Sequence, residues 1–150
     1  MDKITKDIQL EEDQMLLREG IINFPSSPGE KPQLIASQCE ACGDIAFPKK
    51  IWCGKCDGKV VKDILLSNRG KVYAYTVVRQ AVPGYEVPNI LGVVKVPEDD
   101  ELLIMAQIHD CKVEDVVNGM AVETMIAELY TDFLRNKKVI GYAFRPVKQR

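Results

Sequence analysis

Cys39-Glu40-Ala41-Cys42 and Cys53-Gly54-Lys55-Cys56 decide how this chain is read, with ten residues between the two pairs. Each CxxC turn can present two thiolates to one metal ion, and two such turns close a tetrahedral four-sulfur site. Gly43 follows the first pair and Gly54 lies inside the second, where tight turns aim backbone N–H groups at sulfur. The spacing predicts a structural zinc site held by Cys39, Cys42, Cys53 and Cys56. Iron takes the same four donors and is the alternative metal. Four thiolates leave no open coordination position, so catalysis on the metal is not expected. Disulfides fit poorly, because the opening Met1-Asp2-Lys3-Ile4-Thr5-Lys6-Asp7 lacks the apolar core of a secretory signal. A redox CxxC would open a helix in a βαβ unit, and none is visible.

Working outward, 150 residues suffice for one core plus a small metal-stapled unit. Charged residues make up 28% and apolar residues 46%, the balance of a soluble globular chain. No apolar run approaches the roughly 20 residues of a membrane helix. The expectation is a cytoplasmic protein without a membrane partner. Residues 1–30 carry a formal charge of −4, residues 31–63 carry +2, and residues 64–150 carry 0. A nucleic-acid reader should show a basic surplus on its binding face, and the largest segment has none.

Residues 7–19 read as a short helix, capped by Asp7 and ended by Gly20, with Ile8/Met15 and Leu10/Leu17 forming a narrow apolar face. Pro25-Ser26-Ser27-Pro28-Gly29-Glu30-Lys31-Pro32 is dense in breakers and makes residues 20–36 a connector. Leu34-Ile35-Ala36 leads into the first cysteine turn. Ile45-Ala46-Phe47-Pro48 and Ile51-Trp52 should form a hairpin, with Phe47 and Trp52 covering the metal. From residue 63 the pattern becomes strands: Val72 to Val78, Ile90 to Val96, Glu101 to Ile108, Val122 to Leu129 and Lys138 to Phe144. Five strands grouped three plus two around a short linker, Lys112 to Asn118, suit a small Greek-key barrel of the OB type. Residues 122–135 also carry helix formers, but β-structure brackets them. The expected division is 1–36 for the N-terminal helix and connector, 37–62 for the zinc ribbon, and 63–150 for the OB-fold.

The ordered set Cys39-x-x-Cys42-Gly43, Phe47-Pro48, Cys53-x-x-Cys56, Gly70-Lys71-Val72-Tyr73-Ala74-Tyr75-Thr76-Val77-Val78, Gly119-Met120-Ala121-Val122-Glu123 and Phe144-Arg145-Pro146 resembles the zinc-ribbon/OB-fold family, long known as a domain of unknown function. The resemblance implies a mainly β protein with an N-terminal helix, a rubredoxin-like zinc ribbon and a C-terminal five-stranded OB barrel. It also implies an accessory subunit beside thiolases or thiolase-like enzymes that handle acyl-CoA. Such a subunit docks on its partner in a hetero-oligomer, helps to form the channel for CoA or the acyl chain, and lacks the catalytic cysteine.

The residues are compatible with a chain that carries no chemistry of its own. His109 and Cys111 stand two apart, and on an extended strand they would share one face. No glycine-rich oxyanion loop adjoins them, so packing is the better reading and no catalytic residue is assigned. Glu98-Asp99-Asp100-Glu101 reads as a solvated hairpin tip. Tyr73 and Tyr75 alternate on one strand, as base-stacking residues of a nucleic-acid-binding OB-fold do; neutral charge favours barrel packing instead. Lys49, Lys50, Lys55, Arg79 and Arg145 are available for phosphate but read singly as solvated surface, so a CoA-binding residue is left unassigned. The loop Pro83-Gly84-Tyr85-Glu86-Val87-Pro88-Asn89 is the candidate for contact with a partner.

Overall fold

The computed structural model describes residues 9–148. Ten strands follow in order: β1 (Gln14–Leu16), β2 (Ile22–Asn23), β3 (Gln33–Cys39), β4 (Ile45–Ala46), β5 (Val61–Leu65), β6 (Arg69–Val78), β7 (Asn89–Val96), β8 (Asp99–Ile108), β9 (Ala121–Asp132) and β10 (Lys137–Pro146). Among the described residues there is no helix.

β6 to β10 close a five-stranded barrel. β6 pairs with β7, β7 with β8, β8 with β10, β10 with β9, and β9 returns to β6. The expected OB architecture is therefore present. Strict alternation drives it: β7 turns Ile90, Val94 and Val96 inward, and β8 turns Leu102, Ile104, Ala106 and Ile108 inward to meet them. The barrel closes where β8 and β10 run parallel, at Phe144 opposite Ile108, and Phe144 is fully buried. Each such side chain contributes about 1.5–3 kcal/mol on burial. The linker between β8 and β9 contains turns only, with Val116 buried and Cys111, Val113 and Met120 packed against the core. Residues 122–132 are strand, paired along their length with β10.

The N-terminal helix expected over 7–19 is not formed. Asp7 and Ile8 lie outside the described residues, and Gln14–Leu16 is a strand lying parallel to β10, with Met15 opposite Val139. The physical reason is an open edge. β8 meets β10 at its far end, so the start of β10 offers unpaired backbone groups, and an exposed edge recruits another strand. A helix of that length with a narrow apolar face has little to hold it in water. Gly141 makes room, since a Cβ there would lie 3.3 Å from the Leu17 Cβ.

The second sheet runs β2-β3-β4, with β5 also on β3. The expected hairpin between 45–48 and 51–52 is absent: Ile45 and Ala46 pair with Gln38 and Ser37 of β3 instead. This sheet and the barrel share one apolar cluster containing Ile21, Phe24, Leu34 and Leu66 beside Val72, Ile104 and Phe144. Phe47 packs edge-on against Tyr142, with centroids 5.4 Å apart, and the Tyr142 hydroxyl donates to the Met105 carbonyl at 3.1 Å. Polar stitches reinforce the joint. Glu123 of β9 accepts from Lys31 of the connector and from Arg145 of β10, both at 3.0 Å. Asn68 Nδ2 donates to the carbonyls of Pro32 at 2.7 Å and Thr124 at 3.1 Å.

Candidate metal centre and the loop cluster of the barrel

β3 ends on Cys39, so the sheet delivers the first sulfur directly into the cysteine cluster. The four Sγ atoms of Cys39, Cys42, Cys53 and Cys56 all lie within 4.8 Å of one another. Cys39 and Cys56 are 3.6 Å apart and Cys42 and Cys53 are 3.5 Å apart. A disulfide bond is about 2.05 Å, and a tetrahedron with Zn–S near 2.3 Å has edges of about 3.8 Å. The spacing fits the second arrangement.

Each turn aims backbone at sulfur. The N–H groups of Ala41 and Lys55 point at Cys39 and Cys53, both at 3.4 Å. The residue after each pair is left-handed: Gly43 has φ 81° and Asp57 has φ 57°. Gly54, expected to relax the second turn, is not among the positive-φ residues; Asp57 takes that conformation. Gly58 matters for space, because a Cβ there would stand 3.1 Å from the sulfurs of both Cys39 and Cys56. The Cys42 backbone N–H helps lower the Cys39 thiol to about 7. The Gly58 N–H also favours a Cys56 thiolate, but the neighbouring sulfurs of Cys42 and Cys39 outweigh it and push that thiol up to about 12. Four crowded sulfurs resist ionising together, and a divalent cation removes that conflict.

Trp52 does not cover the cluster. It is 58% exposed on a loop between the cysteine pairs, while Phe47 goes to the barrel joint. Lys49 is taken by Asp63 at 3.1 Å, and Arg145 by Glu123.

On the barrel, the register between β6 and β7 shifts between Val72 and Ala74, leaving Tyr73 without a cross-strand partner. Tyr75 lies opposite Gly92, and Tyr73 and Tyr75 are 55% and 39% exposed, so the two rings do not pack inside the barrel, contrary to the expectation from neutral charge. Lys95 Nζ sits over the Tyr73 ring, 4.5 Å from its centre. His109 and Cys111 do not share a strand face. β8 ends at Ile108, and Asp110 between them is left-handed with φ 52°. His109 Nε2 pairs with Gln107 Oε1 at 2.8 Å, and the Cys111 thiol is held by the Lys112 carbonyl at 3.4 Å. Burial pushes the Cys111 thiol up, with Asp115 and Glu114 adding to it, the opposite of an activated nucleophile. Both residues line a cleft of ≈ 590 Å³.

The loop of residues 79–88 borders that cleft and is tied to β9. Gly84 O accepts the Thr131 N–H at 3.0 Å, and Tyr85 stacks on Tyr130 with centroids 4.7 Å apart. The sequence points to residues 83–89 of this segment but not to their anchor, because nothing local marks Thr131 as the partner.

A ribbon of four clustered cysteines fused to a closed OB barrel defines the class, and comparison with known proteins agrees. The family described as ChsH2, C-terminal OB-fold domain, matches residues 64–126. A DUF35 domain-containing scaffold protein of Methanocaldococcus jannaschii is 36% identical over 122 residues, spanning 79% of this chain and 85% of that protein. The benzoylsuccinyl-CoA thiolase subunit BbsA of Thauera aromatica is 33% identical over 81 residues, spanning 54% of this chain and 55% of that protein. The solved Ltp2-ChsH2(DUF35) aldolase superposes with a TM-score of 0.61 at 22% identity, covering 76% of this chain and 84% of that one, a likeness of fold. This chain belongs to the DUF35 family of OB-fold proteins.

Proposed function

We propose that this chain is a non-catalytic, zinc-stapled accessory subunit of an acyl-CoA-processing complex. It docks on a thiolase-like partner, such as a degradative 3-oxoacyl-CoA thiolase, and helps to shape the partner's channel for CoA and the acyl chain. The observation that carries the reading is the likeness to a named thiolase subunit in a chain whose own His109 and Cys111 are each hydrogen-bonded to another group, with the Cys111 thiol unactivated. Cys39, Cys42, Cys53 and Cys56 would hold the zinc, and the zinc would supply rigidity rather than reactivity. The ribbon and barrel, locked through one core, would then move as a unit on the partner's surface.

The test is turnover of a 3-oxoacyl-CoA thioester by this chain, by a purified thiolase-like subunit from the same genome, and by the two together. The reading expects none from this chain alone and the highest rate from the pair. Thioester cleavage by this chain unaided, or a rate indifferent to its presence, contradicts it.

A further inference from the structure

Two loops at one end of the barrel are built as a single apolar edge. The first, residues 79–88 between β6 and β7, exposes Val82 at 67% and Val87 at 46%. The second, the β9–β10 turn, exposes Phe133 at 65% and Leu134 at 100%. Neither is loose chain. The Gly84–Thr131 hydrogen bond and the Tyr85–Tyr130 stack fasten the first loop to β9, two residues short of the second. Gly84, at φ +108°, is the residue that permits the contact: a Cβ there would fall 2.2 Å from the Thr131 carbonyl oxygen. The second loop is fixed from within. The Asp132 carboxylate accepts the N–H groups of Leu134 at 3.0 Å and Arg135 at 3.2 Å, and pairs with the Arg135 guanidinium at 3.0 Å. Asn136, left-handed at φ 53°, completes the turn.

We infer that this joined edge is the surface by which the chain docks on a folded protein partner, with Phe133 and Leu134 as anchors that enter an apolar depression on it. The inference rests on the accessory-subunit reading and assigns it a contact. These are the two loops that flank the ligand face of an OB barrel. Here Val82, Val87, Phe133 and Leu134 are exposed on the two loops, Arg135 next to Leu134 is paired with Asp132, and the exposed Arg79 and Glu86 leave the first loop with no net charge. A phosphate backbone calls for a basic surplus, which these two loops lack, since Arg79 and Arg135 stand against Glu86 and Asp132. An apolar protein surface calls for the large exposed apolar side chains that this edge offers. The rigidity also counts. Side chains ordered before encounter lose little freedom on binding, and a few large anchors carry most of an interface's energy.

The test uses the full chain and the purified thiolase-like subunit of the same genome, with affinity read by calorimetry. Phe133→Ser/Leu134→Ser should weaken binding by about 30-fold or more, the loss typical of an interface anchor, while leaving the melting temperature of the free chain unchanged. Gly84→Ala should weaken binding by displacing the first loop. If the loops act as one anchor, the combined variant loses less than the product of the two separate losses. Wild-type affinity in the Phe133/Leu134 variant overturns this inference alone, and purely multiplicative losses overturn the joined edge. Failure of the wild-type chain to bind the thiolase-like subunit overturns the accessory-subunit reading and this inference with it.

Discussion

Glu123→Gln tests how the ribbon is locked to the barrel. The Glu123 side chain is 11% exposed and receives two charge-assisted hydrogen bonds at 3.0 Å, from Lys31 and from Arg145. The Lys31 contact, followed by Arg145, holds its carboxyl below the usual carboxylate range against the opposing effect of burial. The partners are 52% and 42% exposed, so solvent screening brings each bond to the low end of its range. Two bonds at that level make the substitution cost about 1–2 kcal/mol at neutral pH. For a chain of this size that is a drop in melting temperature of about 2–8 °C. The sign with pH follows from the depressed folded-state value. The carboxylate's contribution is present above the unfolded value near 4.3, and is lost as pH falls through the lower folded value. Thermal melts of wild type and variant at pH 7 and about pH 3 therefore read the difference directly. Acid would loosen a metal held by the four cysteines equally in both proteins, so the comparison stays between variant and wild type at each pH. The gap should be full at pH 7 and close in acid. A gap that persists unchanged at low pH, or is absent at pH 7, refutes the ion-pair lock.

Gly58→Ala should crowd the sulfurs of Cys39 and Cys56 and speed loss of zinc to a chelator by about tenfold, read with a zinc-sensitive dye; an unchanged rate would place the sulfurs differently. Cys111→Ala should leave turnover of the assembled pair intact, because that thiol is neither paired with His109 nor ionised; lost turnover with preserved assembly would make it catalytic. Labelled single-stranded DNA or RNA should show no tight, salt-sensitive binding in an anisotropy titration; strong binding that weakens steeply with salt would favour a nucleic-acid role.

What the sequence disclosed was local. The two CxxC pairs needed only their spacing, and the barrel strands only their alternation, as in Ile90 to Val96. What it hid was non-local. Gln14–Leu16 is three residues long and is made a strand by β10, which lies more than a hundred residues later. The Gly84–Thr131 tie joins segments that nothing local pairs. Asp57 could have been found, since it holds the place after the second cysteine pair that Gly43 holds after the first, and aspartate tolerates the left-handed region. Trp52 over the metal is the expectation for a ribbon short of core of its own; the core comes instead from the barrel through Phe47 and Tyr142.

The most direct measurement is native mass spectrometry of the assembly co-purified with this chain from its own cells. The account predicts one mass containing this chain, one zinc ion per copy of it, and a thiolase-like subunit. A metal-free chain that stands alone, fully folded, would contradict it.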